Sequence, residues 1–138
     1  MANRYPQARS TARTPRAVEV VTAYLDAIAT GDFARARACL ADKDFSNRSP
    51  ISTFDDADAF IADISRVGAI LERMQLRKVF VDRDEVCVIL NYVTHMQQRQ
   101  VTPVVHWLRI ADGKIAAIET FFDARVYEDL FQLGPDAY

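Results

Sequence analysis

The stretch "VVHWLRIADGKIAAIETFF", residues 104–122, sets two apolar runs on either side of a turn. An Asp-Gly pair between strand-like segments is a strong hairpin signal, because glycine enters the left-handed region that tight turns need without a steric penalty. Both flanks carry apolar side chains at odd and even positions alike. A sheet with one buried face would alternate more cleanly, so both faces of these strands are expected to be covered. The same texture continues upstream through "ERMQLRKVFVD" and "DEVCVILNYVTHM", which predicts a meander of four strands over residues 72–123.

Further upstream the period changes. Val18, Val21, Leu25 and Ile28 recur at three- and four-residue steps, the spacing of one helical face, after a Thr14-Pro15 start. Gly31 can end that helix and Asp32 can cap the next, the short segment "FARARACLA", whose apolar side is Ala36, Cys39 and Leu40. "DKDFSNRSPIS" is irregular or briefly extended. A third helix follows, with Thr53 or Asp55 as cap and Phe60, Ile61, Ile64, Val67, Gly68 and Leu71 along one face. A last helix, "ARVYEDLFQL", starts after Asp123 and stops near Gly134-Pro135. Helices segregated before an antiparallel sheet make an α+β domain, expected here over residues 14–138.

Composition excludes several functions. The chain has 138 residues with 17 basic and 19 acidic side chains, a net charge of −2. That balance gives no basic field for a nucleic-acid partner. No apolar run approaches the roughly 20 residues needed to span a bilayer, so no membrane partner is expected. Residues 1–13 carry three arginines and no acid, which reads as a disordered basic tail. Cys39 and Cys87 lie in apolar segments without metal-ligand spacing, which fits a reducing, cytoplasmic setting. Two histidines far apart in sequence and no convergent acids predict no metal site, and no cofactor is expected.

The order of elements, with the words "AYLDAIATGDFARARACLADKDF" and "ADGKIAAIETFFDARVYEDLFQLG", resembles the nuclear transport factor 2-like superfamily. Its branches include ketosteroid isomerases, SnoaL-like polyketide cyclases and limonene-1,2-epoxide hydrolases. The resemblance spans residues 15 to about 134. It implies a curved sheet and helices wrapped into a cone, around an apolar pocket for a small hydrophobic molecule. It also implies a homodimer formed through the outer sheet face.

The catalytic positions of the branches match unevenly. Tyr24, eight residues before Asp32, falls where ketosteroid isomerases keep a tyrosine oxyanion donor, and His106, three residues before Arg109, falls where they keep a protonated aspartate. Their basic aspartate is Ser49 here. The Arg-x-Asp pair of the epoxide hydrolases falls on Leu90-Asn91-Tyr92 and their final aspartate on Thr120; only Asn47 matches, as the residue that orients water. Asp123 is the nearest acid to the cyclase general acid/base.

The turn sets what faces the pocket. A two-residue Asp112-Gly113 turn pairs His106 with Glu119, whereas a three-residue loop pairs 106 with 118 and 104 with 120. The resemblance favours the second. It puts Val104, His106, Leu108, Ile118, Thr120 and Phe122 on one face, with Trp107, Arg109 and Glu119 on the other.

His106 then has two readings, a donor or base facing substrate and a buried neutral imidazole with a local partner. Tyr24 is a phenol donor or a core aromatic; Asp123 is an acid or a helix cap. Tyr92, Asn47 and Thr120 are polar lining candidates. Phe60, Ile64, Leu71, Met74, Leu76 and Phe80, together with Phe122 and Phe131, are expected to pack the core or line the cavity. A cofactor-independent isomerase, cyclase or hydrolase for a polycyclic, terpenoid or steroid-like substrate is one expected function. A ligand-binding or dimerising module without catalysis is the other.

Overall fold

The computed structural model describes residues 15–127, so the basic tail, Thr14 and most of the last expected helix, including Phe131, lie outside the described residues. Three helices, α1 (Arg16–Thr30), α2 (Phe33–Ala38) and α3 (Ala57–Val67), precede the main strands. The short strands β1 (Ser46–Arg48) and β2 (Thr53–Phe54) lie between α2 and α3. The long strands β3 (Leu71–Asp82), β4 (Glu85–His95), β5 (Arg99–Ala111) and β6 (Lys114–Phe122) form the expected meander.

The six strands make one sheet in the order β2-β1-β6-β5-β4-β3. Only the β1–β6 pairing is parallel. The α+β cone is thus an open one among the described residues, with β2 and β3 as its edge strands rather than a closed barrel.

Local chemistry explains how the helices begin and end. Gly31 adopts φ 76°, which lets its N–H bond to Ile28 O while the Asp32 N–H bonds to Ala27 O. These two bonds satisfy carbonyls that the end of α1 would leave open. Asp32 then turns its carboxylate onto the Arg35 N–H at 3.1 Å and starts α2. The cap of α3 is Asp56, which accepts from the Asp58 N–H, rather than Thr53 or Asp55. Thr53 is drawn into β2, where it pairs with Arg48.

The buried stripe of α1 is Ala17, Val21, Tyr24 and Ala27, rotated from the one its bulky aliphatics suggest. Small residues let the helix approach the sheet, while Val18, Leu25 and Ile28 sit half-buried at the flanks.

The β5–β6 hairpin combines a tight turn with a shift. Asp112 (φ 52°) and Gly113 (φ 76°) form a two-residue turn that pairs Ala111 with Lys114 and Ile110 with Ile115. Positive φ at both centres is the geometry whose twist suits a hairpin. A register shift between Arg109 and Ile110 then pairs His106 with Thr120, Val104 with Phe122 and Leu108 with Ile118. The expected three-residue loop is therefore wrong, and each partner lies two residues further along. The assignment of faces survives, because a slip of two residues restores the pleat.

Candidate ligand-binding pocket

A cavity of about 140 Å³ opens between the inner face of the sheet and helices α1 and α3. Helix α1 contributes Tyr24, Leu25 and Ile28; α3 contributes Phe60, Asp63 and Ile64. The sheet supplies Asn47 from β1, Thr120 and Phe122 from β6, and His106 from β5. Tyr92 and Thr94 come from β4, and Leu71 and Met74 from β3. Aromatic and aliphatic walls with a few placed polar groups are the usual make-up of a small-molecule site.

His106 is the most constrained of the polar groups. Its Nε2 lies 2.8 Å from the Tyr92 hydroxyl and its Nδ1 lies 2.9 Å from Thr120 Oγ1. Burial lowers its pKa to about 4, since a buried imidazolium loses its hydration. At neutral pH the ring is uncharged, so one nitrogen donates and the other accepts. Either Tyr92 donates to Nε2 and Nδ1–H donates to Thr120, or Thr120 donates to Nδ1 and Nε2–H donates to the Tyr92 oxygen. Both senses form a continuous chain along the wall. A base this weak removes protons poorly at neutral pH, and the ring is better suited to holding Tyr92 in place.

Tyr24 is 4 % exposed and shares the cavity wall. Burial first, then the nearby Tyr92 and Cys39, raises its pKa well above the ordinary phenol value, so it stays protonated. Asn47, 3 % exposed, donates through Nδ2 to Ile118 O at 3.4 Å, which ties β1 to β6.

Several expected site residues lie elsewhere. Val104, Leu108 and Ile118 face inward as expected but are sealed in the core cluster with Val21, Val88 and Ile115, not in the cavity wall. Asp123 is absent from the wall as well. Its carboxylate accepts from the Arg125 N–H, Nε and a guanidinium amine, and these bonds hold its pKa at about 2. It caps the 3₁₀ turn Ala124–Tyr127, where a helix was expected to start. Phe80 and Leu76 are 52 % and 62 % exposed, outside both core and cavity.

Some wall residues escape the sequence patterns, among them Ile51 and Ser52 of the loop after β1, Asp63 and Thr94. Asp63 lies on α3 next to Ile64, at the edge of the apolar stripe, and forms an ion pair with Arg66. Its one-step offset from the stripe was the available signal. Thr94 shares the inner-face parity of Leu90 and Tyr92 on β4, which counting by two from Val86 would have shown. Among the described residues, no group of three or more His, Cys, Asp or Glu could hold a metal ion.

Comparison with solved structures finds the same fold repeatedly. A protein from Kribbella flavida aligns with a TM-score of 0.75 at 24% identity, covering 84% of this chain and 93% of its own. A putative SnoaL-like polyketide cyclase from Jannaschia sp. CCS1 gives a TM-score of 0.75 at 16% identity, covering 91% of this chain and 100% of its own. An M. tuberculosis epoxide hydrolase of the LEH-like type gives 0.70 at 19% identity, covering 80% and 84%. At these identities the likeness is one of fold alone. No curated protein sequence gives a significant match. The SnoaL-like domain profile, however, matches residues 21–118, well over half of the chain, and the protein therefore belongs to the SnoaL-like family.

Proposed function

We propose that the cavity takes a small hydrophobic molecule bearing an oxygen and that the chain transforms it without a cofactor, in the isomerase, cyclase or hydrolase manner. The observation that carries this reading is the Tyr92–His106–Thr120 chain, set in an otherwise apolar wall that Tyr24 shares. In this reading Tyr24 donates a hydrogen bond to the substrate oxygen, where charge develops in the transition state. His106 positions Tyr92. Asp63 is the carboxylate on the wall available to move a proton.

Size narrows the substrate class. A cavity of roughly 150 Å³ holds one benzene-sized ring, so the space here suits a single-ring skeleton. A polycyclic or steroid-like molecule fits only with part of its skeleton in the mouth.

Binding without turnover is the second reading. The Asp63–Arg66 ion pair favours it, because the carboxylate on the wall is already engaged by a guanidinium. A panel of monocyclic epoxides and β,γ-unsaturated ketones separates the two. Tyr24→Phe is expected to lower kcat on an accepted substrate by roughly 10²-fold with little change in Kd. Binding with no turnover across the panel would favour the second reading, and no binding at all would exclude both.

The outer sheet face, where Phe80, Val101, Trp107 and Phe121 are exposed, supports a homodimer formed through it. Free Cys39 and Cys87 fit a cytoplasmic setting. Among the described residues no helix is long and apolar enough to cross a membrane.

A further inference from the structure

We infer that Thr94 marks a second polar subsite in this cavity, which takes the hydroxyl- or amine-bearing end of an elongated ligand. The inference rests on the reading of the cavity as a ligand pocket and adds to it the chemistry of the ligand's far end. Thr94 is 3 % exposed and lines the cavity, yet its Oγ1 has no hydrogen-bond partner among the described residues. Directly across the β4–β5 ladder from Thr94 stands Gln100, whose buried Oε1 is likewise without a partner. A buried polar atom left unpaired costs stability, so two at one cross-strand pair point to a group that completes them.

Proton counting sets the class of that group. The Gln100 Oε1 can only accept, and the Thr94 hydroxyl has one proton to give. The two atoms do not bond each other, so one ligand group has to serve both. A ligand hydroxyl or neutral amine that accepts from the Thr94 hydroxyl and donates to Gln100 Oε1 satisfies both. An ether or ketone, which can only accept, would take the Thr94 proton and leave Gln100 short.

The register also sets a minimum length. Tyr92 and Thr94 are two residues apart on one face of β4, about 7 Å along the strand. His106 lies opposite Val88, on the far side of Tyr92 from Thr94, so the phenol that reaches it leans away from Thr94. The two polar ends are therefore more than about 7 Å apart. A ring with a short chain ending in a hydroxyl or amine spans such a gap.

The test uses the full chain and two probes that differ by one terminal hydroxyl, 4-propylphenol and 4-(3-hydroxypropyl)phenol, titrated by calorimetry. Thr94→Val is expected to weaken the hydroxypropyl probe about 10-fold and to leave 4-propylphenol within about twofold, while Thr94→Ser keeps both affinities. Without ligand, Thr94→Val is expected to raise Tm by roughly 3 °C, because an unpaired hydroxyl has been replaced by an isosteric methyl. A comparable fall in Tm would mean that the protein already pairs that hydroxyl and would overturn the inference. If 4-propylphenol binds and the hydroxypropyl probe is indifferent to Thr94→Val, the subsite fails and the pocket stands. If neither probe binds the unaltered chain, pocket and subsite fall together.

Discussion

On the inner side of β5, Val104, His106 and Leu108 are 1 %, 7 % and 0 % exposed; on its outer side Val101 and Trp107 are 57 % and 47 % exposed. The strand is nearly as apolar on one side as on the other, and the two sides still have opposite fates. Helices α1 and α3 cover the inner face, and no described element covers the outer one. Apolarity on both faces of a strand thus says that two coverings are needed without saying what the second one is. The inner face also divides. Toward the β5–β6 turn it is sealed core, and it opens into the cavity at His106, Thr120 and Phe122, while Val104 stays sealed.

Substitutions on the two faces should separate cleanly. Leu108→Ala is expected to cost about 2–5 kcal/mol in urea unfolding, from lost burial and the void left behind. A cost below about 1 kcal/mol would mean that the site collapses freely, and the contrast between faces would lose its basis.

His106 provides a test by pH. Its pKa of about 4 in the folded chain lies below the unfolded value near 6.5, so the unfolded chain binds the extra proton first. Its contribution to stability is complete above pH ~6.5, declines as pH falls toward 4, and is level below that, a total of about 3 kcal/mol. His106→Gln should abolish that part of the pH slope while leaving the carboxylate-driven part. An identical slope in the variant would show that the imidazole is hydrated in solution.

The hairpin turn carries a smaller effect. Gly113→Ala places a Cβ at φ 76° and is expected to cost about 1 kcal/mol, read as a lower urea midpoint at unchanged slope. The least effect on the subunit's own fold comes from the outer face. Trp107→Asp removes an exposed ring whose Nε1–H donates to Glu85 at 2.7 Å, and should leave the circular dichroism unchanged. In light scattering the same variant should convert dimers to monomers. An unchanged mass would separate the exposed apolar face from dimerisation.

Much of the fold was legible from local chemistry. Gly31-Asp32 is a helix stop followed by a helix start whatever surrounds it, and Asp112-Gly113 is a turn. The faces of β5 and β6 could be read because side chains alternate with a period of two. The pairing partners could not, because the shift between Arg109 and Ile110 sits inside the ladder and leaves no mark in composition. The pocket was legible in part for the same reason. Parity places His106, Thr120 and Phe122 inward together with Val104, Leu108 and Ile118, but parity does not know where the helices lie. Asp123 shows the other limit, since a carboxylate ahead of a turn satisfies the backbone N–H groups nearest to it before any distant site.

The sequence alone determined the order of the helices and long strands and the stop and start at Gly31-Asp32, because these depend on neighbours along the chain. The tertiary structure decided where core ends and cavity begins, since that depends on how closely α1 and α3 approach the sheet. It also decided that His106 is neutral and bonded at both ring nitrogens, and that Thr94 and Gln100 stand unpaired side by side. Burial and hydrogen bonding across strands arise from residues that only the fold brings together.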